Sequence, residues 1–204
     1  MEKRRKAAIS EAVKRLSAGK VRDSRSLERL KRELGEKYAL GSVLRNSEII
    51  EALPARLGER FRALLSKRKV RTISGVSPIA IMCNAGCPHG RCAYCPRGEN
   101  AAQSYTGKEP AALRAIQNNY DAFAQTKARI EQLEAIGHRA EKCELIVMGG
   151  TFNAQPKKEQ ELFMRRALDA MNERNSKTLA AALKLNEKAK HRAIGITFET
   201  RPDW

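Results

Sequence analysis

Three cysteines within nine residues, in the run Cys87-Pro88-His89-Gly90-Arg91-Cys92-Ala93-Tyr94-Cys95, are the part of this sequence best suited to chemistry. Thiolates are soft metal ligands, and a Gly/Pro-rich stretch can turn three of them towards one centre. A tetrahedral zinc site takes four ligands, usually as two Cys or His pairs about 12 to 20 residues apart, and no second pair is present. Cys83 or His89 could complete such a set, so a non-enzymatic zinc-containing nucleic-acid-binding module stays open as an alternative. Three thiolates otherwise match a four-iron, four-sulfur cluster whose last iron is left for a small chelating ligand. Five cysteines, four of them crowded between positions 83 and 95, argue against a secreted disulfide framework and for a metal site in a reducing compartment.

Other candidates lie outside the cysteine run. Gly149-Gly150 follows an apolar stretch directly, and a ligand approaches backbone closely where no Cβ intervenes, although an ordinary turn reads the same way. Thr151 comes next. Glu199 ends another apolar stretch, where a carboxylate either holds a cofactor amine or hydroxyl or caps the following helix. Gln103-Ser104-Tyr105-Thr106-Gly107 is polar, and Thr106 with Glu109 reads as a capping box ahead of Pro110. Cys143 leads into an apolar stretch and reads as core, while His138 and His191 read as partners of helix C-termini.

The elements that must position these groups follow from periodicity. Before about Gly75, apolar residues recur at helical spacing: Ile9, Val13, Leu16; Leu27, Leu30, Leu34; Ile49, Ile50, Leu53; Leu57, Phe61, Leu64, Leu65. That predicts three or four short helices. Asp23 or Ser26, and Asn46 or Ser47, are the expected N-caps, with Gly35, Gly41 and Pro54 in the gaps. After Gly75 the pattern predicts a strand at 78–83, a long loop to Gly107, and a helix at 109–136 closed by Gly137. A strand at 145–148, helices at 156–172 and 176–190, and a strand at 194–199 follow. Strands separated by helices imply parallel βα units with ligand sites at the carboxyl ends of the strands. The expected architecture is α/β, with a basic helical segment over residues 1–70 and βα units over 71–204.

At 204 residues, with 42% hydrophobic and 31% charged residues, the chain has the composition of a packed protein. No stretch reaches the roughly 20 apolar residues a transmembrane helix needs, and charges at Glu11, Lys14 and Arg15 interrupt any signal-peptide core. A cytoplasmic protein without a membrane partner is expected. The net charge is +17, of which +12 falls on residues 1–75. Lys3 to Lys6, Lys14, Arg15, Arg25, Arg29, Lys31, Arg32 and Lys67 to Arg71 are the expected RNA-facing side, and the scarcity of aromatics among them favours phosphate contact over base stacking.

The cysteine loop after a first strand, with an aromatic before its last cysteine, resembles the radical S-adenosylmethionine enzymes. More closely, residues 71–76 (RTISGV), 87–90 (CPHG), 94–96 (YCP), 103–107 (QSYTG), 146–152 (IVMGGTF) and 199–203 (ETRPD) resemble the family of Elongator catalytic subunits, which modify the wobble uridine of tRNA. The resemblance selects Cys87, Cys92 and Cys95 as cluster ligands and leaves Cys83 as a small buried hydrophobe at the strand end. It implies a 4Fe-4S cluster and S-adenosylmethionine as cofactors, with Gly149, Gly150, Thr151 and Glu199 on the S-adenosylmethionine side and Tyr105 and Gln103 lining the active site. Where related enzymes usually read Gly-Gly-Glu, Thr151 stands in this chain.

The implied reaction starts from a 5'-deoxyadenosyl radical, uses acetyl-CoA as co-substrate and leads to 5-carboxymethyluridine. Three strands are too few to close the TIM-like barrel of such enzymes, and the family's acetyltransferase-type domain has no counterpart in these residues. The resemblance therefore implies a partial radical S-adenosylmethionine domain, incomplete as an enzyme, with tRNA as partner. The rest of the barrel and the acetyl-CoA site would be carried on further chain or on a second polypeptide. A radical enzyme with a different substrate is the other alternative.

Overall fold

A computed structural model describes residues 2–66, 72–90, 92–201 and 203. The chain forms two compact units, Met1–Val70 with Leu133–His138, and Arg71–Gln132 with Arg139–Trp204. Among the described residues no helix is long and apolar enough to cross a membrane.

The first unit contains four helices: α1 (Glu2–Ser17), α2 (Ser24–Lys37), α3 (Asn46–Ala52) and α4 (Ala55–Leu65). Helical spacing places Ala8, Ala12 and Leu16 on one face of α1 and Leu27, Leu30 and Leu34 on one face of α2, and all six are buried with Leu44, Ile49, Phe61 and Leu65. Asp23 caps α2 by accepting from the Ser26 N–H at 2.7 Å, while Ser26 Oγ accepts from the Asp23 N–H at 3.1 Å. The two expected cap candidates are thus the two halves of one capping box.

Three expectations fail in this unit. Gly35 lies inside α2, whose end is turned by Ala39 at φ 48°, with the Leu40 N–H bonded to the Gly35 carbonyl at 2.9 Å. Neither Asn46 nor Ser47 caps α3; Arg45 does, its N–H held by the Glu48 carboxylate at 2.7 Å. The Asn46 amide instead donates to the Leu65 carbonyl at the end of α4 and accepts from Lys31 Nζ. Lys31 is buried, and Arg5 and Arg15 are spent on Glu48, Glu11 and Glu33, so these three cations serve the unit's own packing. Lys3, Arg4, Lys6, Lys14, Arg25, Arg29 and Arg32 are exposed, while positions 67–71 lie outside the described residues.

In the second unit, β1 (Ser77–Met82), β2 (Lys142–Met148) and β3 (Arg192–Phe198) form a parallel sheet in the order β1-β2-β3. Helices α5 (Pro110–Gln117) and α6 (Ala122–Ala135) lie between β1 and β2 in the chain, and α7 (Lys157–Asn172) and α8 (Leu179–Asn186) between β2 and β3. Consecutive parallel strands lying side by side with helical connections are the βα units expected from the sequence, an arrangement consistent with part of an α/β barrel.

The helix expected over 109–136 is two helices. Asn119 and Tyr120 take left-handed φ of 49° and 57°, the Tyr120 hydroxyl reaches the Asn100 carbonyl at 2.7 Å, and Asp121 Oδ1 accepts from the Ala124 N–H to start α6. The helix expected over 176–190 is shorter, because Thr178 caps α8 and the Asn186 side chain turns the chain back into β3 through the His191 carbonyl and the Ala193 N–H. His191 is buried with Nδ1 2.7 Å from the Ala140 carbonyl and Nε2 3.7 Å from the carboxylate of Glu173, the residue that ends α7.

The two edges of the sheet differ. Beside β1, the buried Gln125 of α6 accepts from the Met82 N–H and donates to the Met82 carbonyl, each at 2.9 Å, and Arg114 donates to the Ala80 carbonyl. On one face of β3, Ile194, Ile196 and Phe198 are 53%, 37% and 38% exposed.

Glu11 supplies a pH test of the helical unit. Its carboxylate accepts from Lys37, Tyr38 and Arg15 at 2.7, 2.7 and 2.8 Å, which hold its pKa at about 2. A carboxyl whose pKa is lowered on folding adds stability above its unfolded value and loses it as the pH falls towards the folded one. The stability difference between wild type and Glu11→Gln should therefore be full above about pH 5 and shrink as the pH drops towards about 2. Circular dichroism melts across that range check this, and a difference independent of pH would contradict it.

Candidate active site

The loop between β1 and α5 is pinned to the end of β2 by backbone. Gly149 and Gly150 take left-handed φ of 98° and 59°. A Cβ on Gly149 would overlap the Cys83 carbonyl, and one on Gly150 would overlap the Ala85 carbonyl. The Gly150 N–H donates to the Gln103 carbonyl at 3.2 Å and the Thr151 N–H to the Gly86 carbonyl at 3.4 Å, so both arms of the loop are tied to one strand end. The glycines are demanded first by the loop's own backbone.

Across the loop, Gln103 accepts from the Cys87 N–H at 2.9 Å and donates to the Gly90 carbonyl at 2.6 Å. Both ends of its amide are used to hold the Cys87–Gly90 turn, which the Gly90 N–H closes onto the Cys87 carbonyl at 2.9 Å. The expected capping box is offset by one role: Glu109 is itself the N-cap of α5, and its carboxylate accepts from Thr106 and Gly107 to fold the loop's return arm.

A cavity of about 260 Å³ at the carboxyl ends of the strands is lined by Cys87, Cys92 and Cys95. Gln103, Tyr105, Gly149, Gly150, Thr151 and Glu199 line it as well, so it gathers all nine residues singled out from the sequence. Cys83 and Cys143 stand apart from it. Cys83 is buried, with Sγ donating to the Met148 and Gly149 carbonyls at 3.3 and 3.1 Å, and burial pushes its thiol pKa up. Cys143 is buried with Sγ 3.2 Å from the Ala140 carbonyl.

The groups facing the cavity perturb one another. The Thr151 hydroxyl, the His89 backbone and the His89 ring bring the Cys87 thiol down to about 7. Burial and the Glu199 carboxylate, which accepts the Tyr105 hydroxyl, push the Tyr105 phenol well above its usual range. Glu199 is thereby engaged by Tyr105. Three further participants have no assigned role in the sequence reading: Ser104, whose hydroxyl lies 3.4 Å from Cys95 Sγ, Arg201, which lines the cavity, and Asp203, which pairs with both Arg201 and His89. The Arg201-Pro202-Asp203 run directly after Glu199 was the visible signal for the last two.

Among the described residues, no three His, Cys, Asp or Glu side chains gather closely enough to grip a single metal ion. With Zn–S bonds of about 2.3 Å, the thiolates around one zinc ion lie within about 4 Å of each other. An iron–sulfur cube carries one thiolate at each of three corners and spaces them more widely. Three thiols around one cavity wall are a soft donor set of the kind that holds an iron–sulfur cluster.

Gly150→Ala puts a methyl group both into a left-handed backbone and onto the Ala85 carbonyl. The left-handed conformation alone costs roughly 1–2 kcal/mol for a residue with a Cβ, and displacing the cysteine loop adds to it. Urea unfolding should show a loss greater than about 1 kcal/mol, together with faster alkylation of Cys83 as the loop lifts. Wild-type stability with a protected Cys83 would sink the account of the strand end.

Residues 5–73 match the family described as the ELP3 N-terminal domain. Over its whole length the chain is 45% identical to the tRNA uridine(34) acetyltransferase of Methanocaldococcus infernus, covering 39% of that protein. It is 41% identical to human Elongator complex protein 3 over 87% of this chain and 35% of that one. Among solved structures it is similar to the archaeal Methanocaldococcus infernus Elp3 with an N-terminus deletion (1-46), at 42% identity and a TM-score of 0.47, over 63% of this chain and 24% of that chain. The chain thus spans well under half the length of the curated relatives it matches. With residues 5–73 matching the ELP3 N-terminal domain and relatives matched along the rest, this chain is similar to the N-terminal part of the tRNA uridine(34) acetyltransferases and Elongator complex proteins 3.

Proposed function

We propose that this chain carries the cluster-binding and S-adenosylmethionine-binding part of a cytoplasmic enzyme that modifies the wobble uridine (U34) of tRNA, leading to 5-carboxymethyluridine with acetyl-CoA as co-substrate. The observation that carries this reading is the cavity at the strand ends, lined by Cys87, Cys92, Cys95, Gly149, Gly150 and Glu199. It supports a role for Cys87, Cys92 and Cys95 as ligands of three irons. When bound there, a 4Fe-4S cluster supplies the electron that splits S-adenosylmethionine and starts radical chemistry.

The chain's own residues do the positioning. Gln103 holds the Cys87–Gly90 turn, and the strand-end glycines leave backbone bare for a ligand. Glu199 keeps one carboxylate oxygen on Tyr105 and leaves the other for a cofactor amine or ribose hydroxyl. The Tyr105 phenol stays protonated at neutral pH, so it orients Glu199 rather than acting as a base. The acetyl-CoA site and the remaining strands belong, on this reading, to further chain or to a second polypeptide, which would cover the open β3 edge and keep water from the cavity.

Single replacement of Cys87, Cys92 or Cys95 by Ala should abolish uptake of iron and acid-labile sulfide on anaerobic reconstitution, while Cys83→Ala and Cys143→Ala retain it. Cluster loss in Cys83→Ala with retention in Cys87→Ala would overturn the ligand assignment. Stoichiometric zinc without sulfide in the wild type would favour the nucleic-acid-binding module instead.

The tRNA arm of the reading rests on the exposed cations of the helical unit. Reversing Arg25, Arg29 and Arg32 to Glu should weaken tRNA binding and flatten its salt dependence, each lost phosphate contact removing roughly 0.7 to 0.9 from the slope of log affinity against log salt. An unchanged slope would assign those charges to solubility.

A further inference from the structure

One polar side chain of the cavity wall is buried against the cysteine loop. Thr151 is 1% exposed, and its hydroxyl donates to Cys87 Sγ at 3.4 Å. Its backbone N–H is fixed on the Gly86 carbonyl, so the hydroxyl is held against the cysteine loop by a residue that cannot swing away. Two other groups approach the ligand sulfurs: His89 Nδ1 stands 3.9 Å from Cys87, and the Ser104 hydroxyl 3.4 Å from Cys95. Those two side chains are exposed, whereas Thr151 is buried and meets a half-buried Cys87.

A hydrogen bond whose donor is shielded from water is electrostatically stronger than one with both partners in solvent. Donated to a ligand sulfur, it stabilises negative charge there, and reduction of a cluster adds negative charge to its irons and sulfurs. The bond therefore favours the reduced state and raises the reduction potential. The sequence reading put Thr151 among the groups that hold S-adenosylmethionine, because it occupies the position after the glycine pair. The geometry gives its hydroxyl a different partner.

We infer that Thr151 is a positioning residue that acts through Cys87, its buried hydroxyl bonding the ligand thiolate and raising the reduction potential of the cluster. The inference rests on the reading of Cys87, Cys92 and Cys95 as cluster ligands.

The test uses the whole chain, reconstituted anaerobically with iron and sulfide, as wild type, T151V, T151A and T151S. Reduction is followed by electron paramagnetic resonance in a redox titration, with iron and sulfide content measured alongside. T151V and T151A should hold the same iron and sulfide and titrate at a lower potential; a tenfold change in the reduced-to-oxidised ratio corresponds to about 59 mV for one electron. T151S, which keeps the hydroxyl, should restore the wild-type value. If T151V does not fold, T151A carries the same comparison.

Equal potentials in all four proteins overturn the inference while leaving the cluster reading intact. Loss of iron from both T151V and T151A, with T151S fully loaded, overturns it by assigning the hydroxyl to cluster retention instead of potential. A wild-type chain that takes up no iron and sulfide overturns the cluster reading, and the inference with it.

Discussion

The close approach of two backbones, Gly149-Gly150 at the end of β2 and Cys83 to Gly86 at the start of the cysteine loop, is the constraint on which the candidate site depends. Two left-handed residues with no Cβ let carbonyl oxygens of the loop sit where side chains would stand elsewhere. Once the loop is seated, the Gly150 and Thr151 N–H groups satisfy the carbonyls of Gln103 and Gly86, one from each arm. Gln103 then spans the Cys87–Gly90 turn, and three thiols come to line the same cavity. The chain of dependence runs from glycine to loop to thiol, so a methyl group at residue 150 should be felt at the three cysteines.

Polar side chains complete what the strands leave unfinished. A three-stranded parallel sheet has two edges of unpaired backbone, and buried unpaired groups are costly. On the β1 side, Gln125 serves as a substitute strand for Met82, and burial of Arg114 near the same edge, beside Arg129, lowers its guanidinium pKa to about 10. On the β3 side no such cover exists among the described residues, and the apolar row Ile194, Ile196, Phe198 is accessible. Phe198 is partly shielded by stacking on Phe152 at 5.4 Å between centroids. The two edges therefore differ in that side chains of this unit pair only the first among the described residues.

Electrostatics divides the cations of the helical unit in a similar way. Arg5, Arg15 and Lys31 face carboxylates or a carboxamide within that unit, while Lys3, Arg4, Lys6, Lys14, Arg25, Arg29 and Arg32 face solvent. A net charge of +12 over the first 75 residues overstates neither group, but only the exposed set is free to meet a polyanion.

The α/β class, the four amphipathic helices, the three strands and the convergence of the three cysteines with Gly149, Gly150 and Glu199 were legible in the chain. Each rests on periodicity or on residues with few interchangeable substitutes: glycine where a Cβ is excluded, cysteine where a thiolate is needed. The break at Asn119-Tyr120 was not, because helical spacing continues through it and the Tyr120 hydroxyl finds its carbonyl partner twenty residues earlier. The roles of polar side chains were also beyond reach. Gln103, Thr151, Gln125 and Asn46 each have several possible partners, and only packing decided that they bond a cysteine turn, a thiol, a strand edge and a helix end. A hydrogen bond is short-ranged and directional, so its partner is chosen by which groups the tertiary structure brings within about 3 Å, and separation along the chain carries no information about that.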